Sequence, residues 1–285
     1  MNINVAYRLF IDDRTVYCSP ETLSYYKFYL TRFISWLDDY NTDNLSKYIL
    51  RDYIVFLRSS SMKNVSVRTS FRPVKAFCKW MFEEDYINTD ITIGVKLPRS
   101  DAAIVEPLTN DEVHIIDAAI IDNGYNALRN YCIFHLLLDC GLRRKEVVNL
   151  TFSDIKTDRI VIHNSKGNKD RIVLLPNWLY LSICNYHNFV NSDVNHLFLD
   201  RSQDAPITND TIRKLFVTIK KSSGVNRIHA HLCRHTFATS FLQYGGNMEK
   251  LRLYMGHSDY EILKNYLHLS LIYPNVYKID DIFLS

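Results

Sequence analysis

His231-Leu-Cys-Arg234-His-Thr-Phe-Ala-Thr239 places an imidazole and a guanidinium three residues apart, in a stretch that reads as a helix to Gln243. At that spacing both side chains share one helix face. His229 lies close in sequence, but its spacing to Arg234 sets it on another face or ahead of the helix. A lone histidine is more often structural than functional; a His–Arg pair on one face of an otherwise apolar helix is harder to dismiss.

Three other segments carry chemistry. Downstream, Met255-Gly-His257-Ser258 precedes Asn265-Tyr266-Leu-His268, and Ser258-Asp-Tyr-Glu261 fits a capping box opening one more helix. Tyr266 is one of 19 tyrosines, so only its neighbours can single it out. Upstream, in Cys140-Gly-Leu-Arg143-Arg-Lys-Glu146, Gly141 can end one helix, with Arg143 and Glu146 at i, i+3 on the next. Taken alone, that is a surface ion pair. Between them, Arg159-Ile-Val-Ile-His163 and Arg171-Ile-Val-Leu-Leu175 flank Asn164-Ser-Lys166-Gly-Asn168, which predicts a β-hairpin. Lys166 at its glycine-containing tip can be pushed toward a ligand, with Lys169 and Arg171 adding charge; most Lys-Gly turns are simply soluble turns.

The rest of the chain is helical in pattern. Ser19-Pro20-Glu21-Thr22 is a helix start, followed by Leu23, Tyr26, Leu30, Phe33, Ile34 and Leu37 at helical spacing. Further helices are expected over about 45–57 and 65–84, the latter kinked at Pro73 or beginning there. In it, Arg68, Arg72, Lys75 and Lys79 repeat at i, i+4, i+7 and i+11, a basic face suited to phosphates or merely to solvent. Residues 98–107 read as a Pro-bounded linker, and Thr109-Asn-Asp-Glu112 as a fresh helix start. Helices are also expected over 178–190, 209–222 and 247–255. The expected fold is mainly α with one small β-hairpin: a helical domain over 1–97, the linker, and a larger domain over 108–285.

The 285 residues carry a formal charge of +3 and are 47% hydrophobic, which excludes disorder without naming a partner. No apolar run approaches the roughly 18–20 residues of a membrane span. The first residues lack the pattern of a secretion signal, so a cytoplasmic protein is expected. Six scattered cysteines without a C-x-x-C pair suggest buried thiols rather than a zinc ribbon or disulfide framework.

In chain order, Arg143, Lys166, His231, Arg234, His257 and Tyr266 resemble the catalytic signature of the tyrosine recombinase, or lambda-integrase, family. Gly141-Leu-Arg143-x-x-Glu146, Ser165-Lys166-Gly-Asn-Lys169-x-Arg171, His231-x-x-Arg234-His and Met255-Gly-His257-Ser, with Tyr266 nine residues after His257, match its boxes in type and spacing. Cys233 and Met255 stand where the family commonly has Leu, and Ile262-Leu263 where it often has paired Thr.

The resemblance implies that Tyr266 attacks a DNA phosphate and becomes linked to its 3′ side. Arg143 and Arg234 would hold the non-bridging oxygens, His231 would take the phenol proton, and Lys166 would protonate the leaving 5′-oxygen. His257 would hydrogen-bond a non-bridging oxygen, Glu146 would orient the cations, and Lys169 and Arg171 would touch DNA. It further implies that the helical N-terminal domain binds duplex DNA through Arg68, Arg72, Lys75 and Lys79, clamping it against the catalytic domain. Four copies are expected on two paired sites, with an accessory protein left open and no membrane involved. The apolar tail over 269–285 would dock on its own domain or on a neighbouring copy. A type IB topoisomerase-like nicking-closing enzyme, or a catalytically silent DNA-binding protein of the same fold, are the alternatives. Lacking an extra arm-binding domain before Ser19, the chain looks Xer-like or resolvase-like. No cofactor or metal is expected, for no nucleotide-binding loop or two-metal carboxylate cluster is legible. Cleavage should therefore persist in EDTA; loss of the DNA–protein adduct on chelation would overturn this.

Overall fold

The computed structural model describes residues 1–38, 40–99, 105–122, 124–165, 169–190, 192–256 and 260–283. The chain divides into two compact units, Met1–Ala103 and Ile104–Ser285.

The first unit packs α1 (Ile3–Tyr17), α2 (Pro20–Leu37), α3 (Lys47–Ser59) and α4 (Asn64–Glu83). Ser19 caps α2 by accepting from the Thr22 N–H, and Pro20 follows at the first position, as the sequence predicts. α1 was not expected from the sequence pattern. Its buried residues are Ile3, Ala6, Phe10 and Ile11, a narrow stripe among charged and polar neighbours. Phe10 then meets Phe77 and Trp80 edge-on, at ring centroids 5.3 and 5.4 Å apart.

Pro73 lies inside α4, which runs on through it rather than beginning there. A proline cannot donate to the carbonyl four residues back. Here that carbonyl belongs to Thr69, and the Tyr25 hydroxyl of α2 donates to it at 2.6 Å. The lost helix bond is thus replaced by a bond between helices. On the basic face, Arg72 and Lys75 are exposed, Lys79 pairs with Glu83 at 3.4 Å, and Arg68 donates to the Pro98 carbonyl.

The second unit holds α5 (Asn110–Ile121), α6 (Ala127–Leu138), α7 (Arg144–Asn149), the antiparallel pair β1 (Arg159–Ser165) and β2 (Lys169–Leu174), α8 (Asn177–Asn188), α9 (Asn209–Ser223), α10 (Ala230–Gln243), α11 (Met248–Met255) and α12 (Tyr260–Ile272). Thr109 and Glu112 form the capping box that opens α5. The chain just ahead, within the stretch read as linker, is fastened: Arg227 donates to the Glu106 and Pro107 carbonyls, and the Leu108 N–H to Thr236 Oγ1.

α10 is the hub, packed against α6, α11 and α12. It is buried continuously from Leu232 to Phe241 except at His235, so its polar side chains need internal partners. Thr236 takes the Leu108 N–H, and Ser240 takes the Ile279 N–H at 3.1 Å. The second of these belongs to the tail, which lies on its own unit. The Tyr277 N–H donates to the Leu108 carbonyl, Trp178 Nε1 to Asp280, and the buried Phe283 ring meets Phe237 and Tyr254. No helix among the described residues is long and apolar enough to cross a membrane.

Beneath the tail sits a buried ionic group. His135 on α6 bridges Asp139 (2.7 Å) and Asp117 (2.9 Å), and the Tyr277 hydroxyl donates to Asp139 at 2.9 Å. Burial works to lower the His135 pKa, but the two carboxylates overcome it and raise it to about 9. A raised folded-state pKa contributes stability that is complete below the ordinary value near about 6.5 and is lost as pH rises through about 9. Urea unfolding of the second unit, read through Trp178 with Trp36 and Trp80 replaced by Phe, should therefore lose on the order of 2 kcal/mol from pH 6.5 to 9.5. His135→Gln should be less stable at both pH values and nearly flat between them. A wild-type curve as flat as the variant's would show that His135 is neutral.

Candidate active site

α6 ends at Leu138, and the chain reverses through Gly141, whose φ is 60°. Two constraints meet at this glycine. The left-handed backbone disfavours any side chain, and a Cβ would run into the Phe237 ring of α10. The close approach presents the Gly141 carbonyl to Arg234 of α10, which donates to it through Nη1.

Arg143 follows in extended conformation (φ −79°, ψ 148°) as the residue capping α7. This corrects the sequence reading, which set Arg143 and Glu146 together on the helix. Glu146 is the third helical residue, and its carboxylate turns back to the cap. The Arg143 N–H donates to Oε2 at 2.7 Å and Arg143 Nη1 to Oε1 at 2.9 Å. The i, i+3 proximity survives, but through capping geometry.

Arg171 comes from the hairpin. Arg171 on β2 pairs in register with Ile162 on β1, and Val173 with Ile160. Ile160, Ile162 and Val173 are buried, so the two-residue period turns Arg171 inward beside them. Its side chain, 9% exposed, donates Nη1 to Glu146 Oε1 at 2.7 Å and Nη2 to Oε2 at 2.8 Å. Nε donates to the Tyr254 carbonyl at 2.8 Å.

The other two arginines reach the same helix end. Arg143 Nη2 donates to the Gly256 carbonyl at 3.0 Å, and Arg234 Nη2 to the Met255 carbonyl. Three guanidiniums therefore sit on three successive carbonyls, 254 to 256, where α11 stops and Gly256 takes a left-handed φ of 57°. The last carbonyls of a helix have no partners within it and form the negative end of its dipole, so they attract cations.

Tyr266 on α12 is only 2% exposed. Its ring lies edge-on to His235 at 5.0 Å, and His235 lies edge-on to His231 at 4.5 Å. His231 is exposed in the first turn of α10, while Arg234 is 3% exposed. His229 falls at the cap, ahead of the helix. The structure thus gathers Arg143, Glu146, Arg171, His231, Arg234 and Tyr266 in the second unit. Arg68, Arg72, Lys75 and Lys79 belong to the first unit. Lys166 and His257 lie outside the described residues, as does Ser258 of the expected capping box, and nothing is described of the Lys169 side chain. His235 was missed from the sequence, although its place four residues after His231 on the same helix was visible.

The model of the phage integrase family matches residues 106–271. The chain belongs to the phage integrase family, the tyrosine recombinases. The recombinase is 26% identical over 266 residues to tyrosine recombinase XerC of Bacillus pumilus (strain SAFR-032), covering 88% of this chain and 87% of that protein. It is 25% identical over 245 residues to tyrosine recombinase XerD of Rickettsia conorii (strain ATCC VR-613 / Malish 7), covering 79% and 80%. Its fold is similar to that of a lambda integrase dimer bound to a COC′ core site, with TM-score 0.79, 14% identity, and 94% and 95% of the two chains covered. The Tn1549 transposon integrase in complex with circular intermediate DNA gives 0.78 at 19% identity, covering 93% and 95%.

The electrostatics of the recombinase site follow from burial and crowding. Burial would raise the Glu146 carboxyl, but hydrogen bonds and charge from Arg171, with the Arg143 N–H and guanidinium, hold it at about 2. Burial, reinforced by the Arg143 charge, lowers Arg234 to about 9, which leaves it protonated at neutral pH. Burial raises Tyr266 against the opposing pull of Arg234 and Arg143. Burial also lowers His231, as do Arg234 and His229, and brings His235 to about 4. Near neutral pH the site therefore offers fixed cations, a protonated phenol and unprotonated imidazoles that can accept a proton.

Gly141 tests the close approach that brings Arg234 to its place. Gly141→Ala must both strain the turn and displace Phe237, and should destabilise the second unit by about 2–4 kcal/mol. Calorimetry checks this, and an unchanged Tm would show that the turn tolerates a side chain.

Proposed function

We propose that this recombinase exchanges DNA strands at specific sites through a covalent 3′-phosphotyrosine intermediate on Tyr266. The observation that carries this reading is the placement of Arg143 and Arg234 on the carbonyls that end α11, with their charges acting on the Tyr266 hydroxyl.

In the proposed reaction the Tyr266 oxygen attacks a backbone phosphorus as its proton passes to His231. The bond to the 5′-oxygen breaks, and Lys166 supplies that oxygen with a proton. Arg143 and Arg234 stabilise the charge gathering on the non-bridging oxygens, which planar, permanently charged guanidiniums can grip at two points. His257 donates to one of the same oxygens, and Glu146 orients Arg143. The tyrosyl phosphate ester conserves the energy of the broken bond, so the free 5′-hydroxyl of another strand reverses the step without ATP. With Tyr266 at 2% exposure, engaging DNA has to bring the phenol to the surface.

The partner is duplex DNA. In support, α4 carries Arg72 and Lys75 exposed on one side, and similar folds belong to integrases solved on DNA. On this reading Met1–Ala103 binds the core of the site and Ile104–Ser285 performs cleavage, with four copies on two paired sites and an accessory protein compatible with the assembly. The working compartment is the cytoplasm. Resemblance to XerC and XerD supports recombination over a nicking-closing topoisomerase, and the filled positions 143, 146, 231, 234 and 266 speak against a silent DNA-binding protein.

A suicide substrate tests the reading. Wild type should form a covalent adduct with a nicked cognate duplex, and Tyr266→Phe should form none. Arg234→Ala should slow adduct formation by about 10²–10³-fold, the usual effect of removing a group that stabilises transition-state charge. An adduct surviving in Tyr266→Phe would move the nucleophile elsewhere.

A further inference from the structure

The expectation that Arg171 touches DNA fits poorly with its surroundings. Each of its three nitrogens already donates at 2.7–2.8 Å, and its side chain is 9% exposed. Reaching a phosphate would break two charge-assisted bonds to a buried carboxylate. We propose that Arg171 is a positioning residue for the recombination reaction, balancing the Glu146 carboxylate so that Arg143 keeps its charge for the DNA phosphate. This rests on the reading of Arg143 as a phosphate-binding group.

One negative charge at Glu146 faces two guanidiniums, and both carboxylate oxygens bond to each arginine. Divided this way, the carboxylate fixes Arg143 in place without neutralising it. Without Arg171, the same carboxylate would face Arg143 alone in a closed ion pair, and a phosphate would have to compete with it. The second consequence is mechanical. Through Glu146 and the Tyr254 carbonyl, Arg171 ties β2 to α7 and to the end of α11. These elements adjoin Lys166, Arg143 and His257 in sequence, so one side chain ties together the strand, the helix start and the helix end beside them. An error of about 1 Å in such registration can cost on the order of 10²-fold in rate.

Two measurements on the full chain separate the brace from a DNA contact. The first is the salt dependence of binding to an arbitrary duplex of about 30 base pairs, in the Tyr266→Phe background with and without Arg171→Met. A direct phosphate contact would lower the slope of log affinity against log salt by about 0.9, whereas a brace leaves it unchanged. The second uses nicked duplexes with randomised arms, captured covalently by the wild type and then cleaved in single turnover. Arg171→Met should slow cleavage by about 10²-fold at unchanged duplex affinity, with partial rescue by Arg171→Lys. In a Glu146→Gln background, Arg171→Met should cost less than about 3-fold more, because residues acting as a unit are not additive.

Additive losses together with a reduced salt slope would make Arg171 a DNA contact and overturn the proposal. A lowered Tm at an unchanged cleavage rate would reduce it to a structural residue and overturn it equally. If Arg171→Met does not fold, the neutral, hydrogen-bonding Arg171→Gln carries both measurements. Should the wild type capture no duplex through Tyr266, the recombination reading itself fails. The salt slope needs no cleavage, and a drop in it would still overturn the brace.

Discussion

A buried carboxylate shared between two arginines is the constraint on which the second unit depends. An isolated Glu146 at 10% side-chain exposure would protonate or find water. Held by Arg143 and Arg171 it stays charged, and each arginine keeps a donor for the carbonyls at the end of α11. Segments far apart in sequence (143–146, 171 and 254–256) thereby share one electrostatic centre. Arg234 enters from α10, and backbone carbonyls at 141 and 255 take its donors. Partial charges hold a guanidinium without cancelling its charge.

The backbone had to be shaped before those side chains could meet. Gly141 lets α6 come close enough to α10 for its carbonyl to touch Arg234, and Phe237 fills the space where a Cβ would be. Gly256 ends α11 in the left-handed region and turns its carbonyl to Arg143. Both glycines therefore place an acceptor for an arginine of the site.

What could be read in the sequence was local. The caps at Ser19 and Thr109 and the two strands emerged where expected, because each is set by residues a few positions apart. α1 went unread because its stripe is narrow and is covered by α2 and α4, which come later in the chain. Arg143 was placed one residue too far into its helix, since an i, i+3 pair looks alike whether its first member is in the helix or caps it. Arg171 was read as a DNA-touching cation from its place beside a Lys-Gly turn. The alternation of Val173 and Leu175 already turned it inward, but the carboxylate that makes an inward arginine tolerable lies 25 residues earlier. The His135 group was invisible for the same reason: Asp139 is one helical turn away, whereas Asp117 and Tyr277 come from distant parts of the chain.

The tail shows how burial of Tyr266 and the rest of the fold are joined. Directly after α12, the chain crosses α5, α6 and α10, leaving a backbone bond at Leu108, a side-chain bond at Asp139 and another at Ser240, before Phe283 closes on Phe237. Phe237 is the ring that occupies the approach of Gly141, and Ser240 and Thr236 lie on the same helix as His231 and Arg234. Bringing Tyr266 outward by shifting the whole of α12 and the tail would break bonds to buried partners, each leaving a group unsatisfied at roughly 1–3 kcal/mol. Rearranging only the stretch around Tyr266, with the tail left seated, breaks none of them. That route would spare the tail's bonds, while giving up the edge-on contact of Tyr266 with His235 on α10.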